Sequence, residues 1–438
     1  MHQTTSAVAD TICRTTELGV TITDAAVDAQ DRTRIFCEVL DPDPRCPNCE
    51  IAGQARDKAD RILTDTPAAG HPVLLHVAVP RFVCHTADCP RTIFRANIEH
   101  IAAPRAVITS RTTRWILQHI VEDKMSVAAV ARNLGVAWKI VNRAAAEAAR
   151  TLVYASPSHL GGVRHLGVDE HKWKHVRGHG ESSWVTVLID LTPVIDGTGP
   201  ARLIDMIPGR SKSVLKTWMN DRDQAFRDRV KVVAMDGFTG YKTATAEELP
   251  TARIVMDPFH VVQLAGEKLD RCRTRIQQAT CGHRGRKGDP LYKILRILHT
   301  RTDLLTDKQK ALLFTSLTSH DGHVAVEIVH QVYLQIIAAY EHRQRREGKK
   351  LMWRVIKRIQ KGLPPGLEEL AQLGRTLWNR RKEILAYFDV GVSNGPVEAI
   401  NGRLEHLRGI AQGFRNLDHY ILRSLLHSGQ LADRINAL

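Results

Sequence analysis

The spacing of apolar and polar residues changes three times along the chain. Between about Gly19 and Phe94, runs such as GVTITDAAVD and HPVLLHVAVPRFVC mix β-branched and alternating positions, which predicts the short strands of a small β module. From Thr109 the apolar residues recur at helical spacing. After a linker at about Ser156–Gly162, the runs VRHLGVDE, SSWVTVLIDLTP and ARLIDMIPG predict three strands, followed by helix, strand, helix and strand. This order predicts a mixed sheet flanked by helices, and therefore an α+β fold.

The last third of the chain is predicted to be helical. No strand pattern interrupts the chain from about Leu264 to Asp389, so this part looks like a helical insertion. The run SNGP at residues 393–396 then begins a closing helix, with a capping residue followed by proline. The apolar stripe of this closing helix consists of Val397, Ile400, Leu404 and Leu407.

The net charge of the chain indicates which class of molecule it binds. The chain of 438 residues has 62 Lys and Arg against 47 Asp and Glu, a formal net charge of +15. A soluble chain this basic most often binds a polyanion, and nucleic acid is the common case. No apolar run is long enough to span a bilayer, and the N-terminus lacks the pattern of a secretory signal. We therefore expect a cytoplasmic protein without a membrane partner, in which disulfides are not expected.

Four of the 8 cysteines form two closely spaced pairs in turn-like segments. Cys46 and Cys49 lie in DPDPRCPNCE, and Cys84 and Cys89 lie in VCHTADCP. Two such pairs supply the four thiolates of a tetrahedral structural Zn²⁺ site, so we predict a zinc ribbon. The remaining cysteines have no comparable partners and are interpreted as ordinary thiols: Cys13, Cys37, Cys272 and Cys281.

A helix-turn-helix is predicted next. Ser126 caps a short helix that runs to about Asn133, Gly135 makes the turn, and a second helix covers about 137–150. Small helical hairpins are common, but the basic charge of the chain favours DNA binding. The side chains expected to contact DNA from the start of the second helix are Trp138, Lys139, Asn142 and Arg143.

Two aspartates follow apolar strand patterns. Asp169 ends the first strand of the predicted sheet and Asp236 ends the fourth, and in this order of elements the two strands are expected to be neighbours. Either aspartate alone fits a turn or a helix cap equally well. Together they favour a site for divalent cations, in which two Mg²⁺ ions can activate a nucleophile for phosphodiester chemistry.

Two further carboxylates have competing interpretations. Glu398 lies in the first turn of the closing helix, where an acidic residue is favourable to the helix dipole without any catalytic role. Asp257 also ends a strand pattern and is an alternative to Asp236. We prefer Asp236, because the fourth strand is expected beside the first, and we expect Asp257 to cap the helix beginning near Phe259 or to support the site with His260.

The sequence resembles the ISL-three family of bacterial insertion-sequence transposases, over nearly the whole chain. The resemblance rests on the cysteine ribbon, the helix-turn-helix and the segments GVDEH, AMDGFTGYKTA, RIVMDPFHVVQL and SNGPVEAINGRLEHLRGIAQGFRNLDHYILRSLL. It implies a DDE-type recombinase with a ribonuclease-H-like core, whose catalytic triad falls on Asp169, Asp236 and Glu398. It also implies that these three residues hold Mg²⁺ or Mn²⁺.

The resemblance implies an enzyme that binds terminal inverted repeats, cleaves the element ends and joins the 3′-hydroxyl strands to target DNA. Joining two ends requires a homodimer or a higher oligomer, and the expected location is the bacterial cytoplasm, with the nucleoid. Two alternatives stay open: a transposase-derived DNA-binding regulator without catalysis, and a structure-specific nuclease or resolvase of the same core fold.

Basic residues outside the helix-turn-helix are also candidates for DNA contact. His171, His175 and His179 could suggest a transition-metal site, but they lie among basic residues in a predicted loop, which favours phosphate contacts. Near the closing helix, contact with phosphate and ordinary salt bridging are equally compatible with the basic residues. The candidates in these two regions are Lys172, Lys174, Arg177, Arg408 and Arg415.

These expectations divide the chain into five parts. They are an N-terminal β-rich zinc-ribbon region at 1–100, a helix-turn-helix domain at 101–158, the first part of the catalytic core at 159–263, the helical insertion at 264–388 and the C-terminal part of the core at 389–438.

Overall fold

The computed structural model describes residues 2–174 and 183–437. The chain forms two compact units, one of Met1–His159 with Arg403–Leu438 and one of Leu160–Gly402. The first unit therefore contains both the predicted zinc ribbon and the predicted helix-turn-helix. The segment 389–438, expected as one part of the core, is divided between the two units.

The first unit begins with helix α1 and a five-stranded sheet of order β1-β2-β4-β3, with β5 paired to β4. Two of its strands, paired in a long antiparallel hairpin, have 15 and 13 residues, in contrast to the short strands expected. Ala69 and Gly70, both with positive φ, lie between them. The bounds are His2–Cys13 for α1, Val20–Val27 for β1, Thr33–Val39 for β2, Gln54–Ala68 for β3, His71–Val83 for β4 and Ile93–Arg95 for β5.

Three helices follow in the first unit: α2 at Ser110–Val121, α3 at Val127–Asn133 and α4 at Trp138–Ala149. A π-helical turn, Arg150–Tyr154, continues α4. A buried carboxylate joins the sheet to α2, since Asp65 on β3 accepts a hydrogen bond from the Thr109 hydroxyl at 2.7 Å and pairs with Arg111. The β-rich region and the helices therefore share one compact unit.

The second unit is built on a mixed sheet of order β10-β9-β6-β7-β8. The β6–β9 and β9–β10 pairs are parallel, while the β6–β7 and β7–β8 pairs are antiparallel. This confirms the expected contact of the first and fourth strands of the sheet. The strands are β6 at His165–Lys172, β7 at Trp184–Asp190, β8 at Arg202–Pro208, β9 at Val232–Met235 and β10 at Arg253–Met256.

Five helices lie among or directly after these strands: α5 at Thr192–Asp196, α6 at Lys212–Asn220, α7 at Gln224–Arg229, α8 at Thr239–Glu248 and α9 at Pro258–Cys281. Helices α6 and α7 correspond to one helix of the sequence prediction. The chain breaks there because Asp223 caps a new helix, accepting a hydrogen bond from the Phe226 N–H at 2.6 Å.

Residues 264–389, all of them described, contain helices and no strand, as predicted. Buried apolar side chains of these helices form a core of their own, which includes Leu269, Ile336 and Ile356. The helices are α10 at Pro290–Lys293, α11 at Asp307–Thr318, α12 at Val324–Glu341, α13 at Arg345–Gln360, α14 at Glu368–Asn379 and α15 at Arg381–Val390.

The closing segment holds α16 at Gly395–Ile410, α17 at Leu417–Ser428 and α18 at Ala432–Asn436. The predicted apolar stripe of α16 is buried, with Val397, Ile400, Leu404 and Leu407 each at most 1% exposed. Helix α17 packs on α4, and α18 packs on α2, which explains why residues from Arg403 onward belong to the first unit.

Candidate functional site

The two cysteine pairs converge in the first unit. The Sγ atoms of Cys46 and Cys89 are 3.8 Å apart, and those of Cys49 and Cys84 are 3.6 Å apart. Four thiolates bound at about 2.3 Å to one tetrahedral Zn²⁺ lie about 3.8 Å from one another, so the cluster fits this ion closely. The Thr86 hydroxyl contacts the Cys49 sulfur and lowers the pKa of that thiol to about 6. Cys49 is thereby favoured as a thiolate, the form that binds metal, whereas desolvation and the neighbouring cysteine side chains raise the pKa of Cys89 to about 11. The four thiols therefore do not all ionise easily unless a cation binds among them.

Replacing Cys49 with serine is expected to remove the metal from this cluster, because a neutral hydroxyl is a much weaker zinc ligand than a thiolate. We expect the zinc content of the purified protein, measured by elemental analysis, to fall from about one ion per chain to near zero. Cys281→Ser is the matched control, since Cys281 is exposed and lies outside the cluster. Full zinc content in Cys49→Ser would contradict the assignment.

The helix-turn-helix forms at the predicted residues. The Ser126 side chain accepts a hydrogen bond from the Ala129 N–H and caps α3, and Gly135 takes φ +64° in the turn before α4. A positive φ is easily adopted by glycine, which explains the turn at this residue. On α4, Lys139 and Arg143 are exposed.

Two other predicted contact residues on α4 differ in exposure. Trp138 is 49% exposed, as a DNA-contacting side chain requires. Asn142 is only 8% exposed, in contrast to the exposure expected of a DNA-contacting side chain. In the closing segment, Arg415 is exposed and Arg408 pairs with Glu405 on the same helix.

In the second unit, the parallel register places two carboxylates side by side. The β6–β9 ladder pairs Val168 with Met235, and Asp169 and Asp236 directly follow these two residues. Contrary to the expectation that Asp169 ends its strand, β6 continues to Lys172, because its antiparallel pairing with β7 extends beyond the parallel ladder. The side chains of Asp169, Asp236 and His260 each offer a ligand atom, and these atoms lie within 4.8 Å of one another.

Electrostatics in this cluster favour a cation. Burial raises the pKa of Asp169 to about 6, and the neighbouring charge of Asp236 adds to this effect. A buried carboxylate beside another carboxylate is stabilised when a positive charge binds between them. Carboxylate oxygens are the ligands that Mg²⁺ and Mn²⁺ prefer, and an imidazole nitrogen suits Mn²⁺ better than Mg²⁺. The donor set therefore fits a hard divalent cation.

Two residues that were not predicted to be site residues lie at this cluster. Asn401 on α16 donates a hydrogen bond from Nδ2 to Asp169 Oδ2 at 2.9 Å. Arg380, between α14 and α15, donates from Nη2 to the carbonyl oxygen of Gly237 at 2.8 Å, directly after Asp236. Asn401 lies three residues after Glu398, so the helical spacing of the closing segment was a signal that could have revealed it.

Asp257 caps α9, as one of the two interpretations expected. Its Oδ2 accepts a hydrogen bond from the Phe259 N–H at 3.0 Å, and its Oδ1 accepts one from the Asn394 N–H at 2.7 Å. One buried carboxylate therefore holds both the start of the helix that bears His260 and the residue before α16. Ser393 or Asn394 is the capping residue expected in the run SNGP, but neither polar atom of the Asn394 side chain has a hydrogen-bond partner among the described residues.

Glu398 lies on the first turn of α16 and is exposed. The metal-ligand cluster of Asp169, Asp236 and His260 does not include it. The helix nevertheless begins against β6, because a Cβ atom on Gly167 would come within 2.6 Å of the Val397 side chain. The absence of a side chain at Gly167 thus permits the close approach of α16 to the strand that carries Asp169.

The prediction that His171 and Lys172 lie in a basic loop is wrong, because both are the last residues of β6, and the rest of that predicted loop is only partly described. The Lys172 ammonium lies 5.8 Å from the centre of the Trp184 ring, and the Lys174 ammonium lies 5.6 Å from that of Trp173. Arg177, His175 and His179 lie outside the described residues. Glu170 binds Arg210, with Nη1 and Oε2 3.0 Å apart.

The first unit contains a helix-turn-helix, and the second has two carboxylates directly after neighbouring parallel strands. These are features of a DNA-processing protein. The chain belongs to the ISL3 family of DDE transposases: the family model described as Transposase matches residues 166–424. A second model, the helix-turn-helix domain of transposase family ISL3, matches residues 98–149. The resemblance stated from the sequence motifs is confirmed.

The chain is similar to transposases of two insertion elements. It is 24% identical to the transposase of IS1001 from Bordetella parapertussis, over 90% of this chain and 92% of that protein. It is 25% identical to the transposase of IS1557 from Mycobacterium tuberculosis, over 69% of this chain and 68% of that protein. The solved Drosophila P element transposase strand transfer complex is similar over 74% of this chain and 92% of that chain, with 11% identity and a TM-score of 0.37.

Within residues 2–174 and 183–437, no helix combines the length and the apolar character needed to cross a membrane.

Proposed function

We propose that this transposase binds the terminal inverted repeats of an insertion sequence, cleaves the element ends and transfers the 3′-hydroxyl strands into target DNA. The observation that carries the proposal is the position of Asp169 and Asp236, directly after neighbouring parallel strands with their ligand atoms within 4.8 Å. Carboxylates concentrated in this way hold divalent cations, and such cations catalyse phosphodiester cleavage.

We further propose that the sheet of the second unit is a ribonuclease-H-like catalytic core. What supports this is the strand order: numbered along the chain from β6, the strands lie in the order 5-4-1-2-3, with the first and fourth parallel and the second antiparallel to the first. The helical segment 264–388 would be an insertion into this core, between its fifth strand and the helix that bears Glu398.

In this proposal Asp169, Asp236 and Glu398 hold two Mg²⁺ or Mn²⁺ ions. When bound, such ions lower the pKa of an attacking water or 3′-hydroxyl and stabilise the leaving oxygen of the phosphodiester. Asn401 orients Asp169 through its 2.9 Å hydrogen bond. Asp257 acts as a positioning residue, because its two oxygens fix the start of α9 and the residue before α16.

DNA recognition is assigned to the first unit. We propose that the four cysteines hold a structural Zn²⁺ and that α4 presents its first residues to the major groove. The residues proposed to contact DNA are Trp138, Lys139, Asn142, Arg143, Lys172, Lys174, Arg177, Arg408 and Arg415. Since two ends must be joined, the active complex is proposed to be at least a homodimer, acting on the bacterial nucleoid in the cytoplasm.

The proposal is tested with a plasmid that carries the gene and the DNA flanking it on both sides. Purified protein with Mg²⁺ is expected to cut this plasmid at inverted repeats bracketing the gene, with ends mapped by primer extension. Binding to the repeats without cutting would support the regulator instead. Preferential cutting of four-way DNA junctions of arbitrary sequence would support the structure-specific nuclease.

A further inference from the structure

A groove in the first unit lies beside the helix-turn-helix. It has a volume of about 830 Å³ and is bounded by α3, α4, residues 410–416 and α17. Its walls include Arg132 of α3, Trp138 and Asn142 of α4, Arg415 and, on α17, Arg423. Among its described lining residues there is no aspartate or glutamate, so the lining is wholly neutral or basic.

Among the residues that line the groove, Arg423 is a charged side chain that is buried. Its side chain is 6% exposed, and its Nε and Nη1 atoms have no hydrogen-bond partner among the described residues. Burial lowers the pKa of Arg423 to about 10, with no opposing contribution from a carboxylate. A buried guanidinium with two nitrogens that lack a hydrogen-bond partner is costly, and buried charges in proteins are generally paired. An anion that enters the groove would supply the missing hydrogen-bond acceptors and balance the charge of Arg423.

We propose that this groove binds a phosphate group of a DNA strand, with the buried Arg423 guanidinium as its principal ligand. The planar guanidinium donates parallel hydrogen bonds to phosphate oxygens, and the absence of acidic residues leaves the groove attractive to anions. The groove is larger than one phosphate, so a stretch of sugar–phosphate backbone fits.

The wall formed by α4 indicates the source of the phosphate. Trp138 stands at the start of α4 and is 49% exposed, while Asn142, one turn later, is buried in the groove lining. Helix-turn-helix proteins hold their recognition helix in register through phosphate contacts at its flanks. The groove would therefore set the register of α4 on DNA. This inference rests on the DNA-binding part of the proposed function and not on its catalytic part.

The phosphate chemistry is tested by thermal denaturation of the full chain in inorganic phosphate and in chloride at equal ionic strength. The wild-type protein is expected to melt about 2–4 °C higher in phosphate. Arg423→Met is expected to lose this difference and to melt in chloride no lower than the wild type, because it removes an unpaired buried charge. Arg114→Met is the matched control: Arg114 is exposed on α2 and outside the groove, so the same charge change should keep the phosphate response.

Two results would overturn the phosphate site: a phosphate response that survives in Arg423→Met, or the absence of a phosphate response in the wild type. If Arg423→Met fails to fold, Arg423→Gln, which also removes the charge, takes its place, and a response to phosphate equal to that of the wild type in this variant would overturn the site.

The source of the phosphate is tested with a random-sequence DNA duplex at several salt concentrations. Arg423→Met is expected to reduce the salt dependence of log Kd by about one unit, the signature of one lost phosphate contact. A lost response to inorganic phosphate with unchanged DNA binding would instead identify a site for free phosphate or a nucleotide and would overturn the DNA assignment. Neither assay measures strand cleavage, so this inference and the catalytic proposal fail separately.

Discussion

Replacing Asp169 with asparagine is expected to lower Mg²⁺-dependent cleavage of the element ends by roughly 10³-fold or more, with DNA binding unchanged. The substitution removes one charged ligand from the carboxylate pair. The cations are then held less well, and the transition state of phosphodiester cleavage is stabilised less. The Asn401 hydrogen bond can be kept, because the asparagine side chain still offers a carbonyl oxygen as acceptor. Cleavage is measured on end-labelled repeat DNA, and binding by gel shift.

The same substitution is expected to raise the stability of the protein in buffer without added Mg²⁺. The folded-state pKa of Asp169 is raised to about 6, above its ordinary value of 3.8, so its charge destabilises the folded chain above pH 6. That penalty is about 1–3 kcal/mol at pH 8 and disappears as the pH falls through 6 towards 4. The gain from asparagine should therefore be seen by thermal denaturation at pH 8 and shrink at pH 5.

Asp221→Asn provides the control for both measurements, since Asp221 is an exposed residue at the end of α6. It should leave cleavage unchanged, and its effect on stability should not follow the same pH dependence. Normal cleavage by Asp169→Asn would remove this residue from the catalytic site. A loss of stability at pH 8 would show that the carboxylate is held by favourable contacts and not strained by its neighbours.

The elements that could be predicted are those specified by adjacent residues. The cap at Ser126 and the turn at Gly135 depend on a few consecutive residues, and both form as expected. The 15-residue length of β3 was not predicted, because its first nine residues are exposed or only partly buried and show no alternation between a core face and a solvent face. Its pairing partner β4 determines that it is a strand, and a partner is not visible in the local pattern.

The candidate site likewise contains some residues whose positions could be predicted from local sequence and others whose positions could not. The proximity of Asp169 and Asp236 could be predicted from the sequence, since the predicted strand order makes their strands neighbours. The parallel ladder of these two strands ends at the residues directly before the two aspartates. His260 was expected at the site only as a support alongside Asp257, and Asn401 was not expected there, because their positions depend on how α9 and α16 pack against the sheet. Asn401 is separated from Asp169 by 232 residues, and no short-range pattern reports a contact at that separation.

Asp257 links two segments of the chain that are far apart in the sequence but close in the fold. Its two carboxylate oxygens bind backbone N–H groups of Phe259 and Asn394, which are far apart in the chain. The His260 helix and the Glu398 helix therefore begin from a shared buried anchor. The helical segment that we propose to be an insertion also contributes, since Arg380 donates a hydrogen bond to the carbonyl oxygen of Gly237 beside Asp236.

Replacing Glu398 with glutamine is expected to reduce cleavage by roughly 10²–10³-fold and to leave folding and DNA binding unchanged. Glu398 and Asn401 are three residues apart on α16 and lie on one side of it, and Asn401 already reaches Asp169 at 2.9 Å. An exposed glutamate in the first helical turn can change rotamer at small cost. The prediction requires that its carboxylate turns towards Asp169 and Asp236 when cations and DNA are bound.

The competing candidate for the third ligand is His260, which belongs to the compact cluster in the structure, whereas Glu398 does not. The two are separated by comparing Glu398→Gln with His260→Gln in the same cleavage assay, with Glu267→Gln, an exposed glutamate on α9, as control. If Glu398 completes the site, its variant loses more activity than the histidine variant. If Glu398→Gln cleaves at a near-normal rate and His260→Gln does not, Glu398 serves only the dipole of α16 and the third ligand is the imidazole.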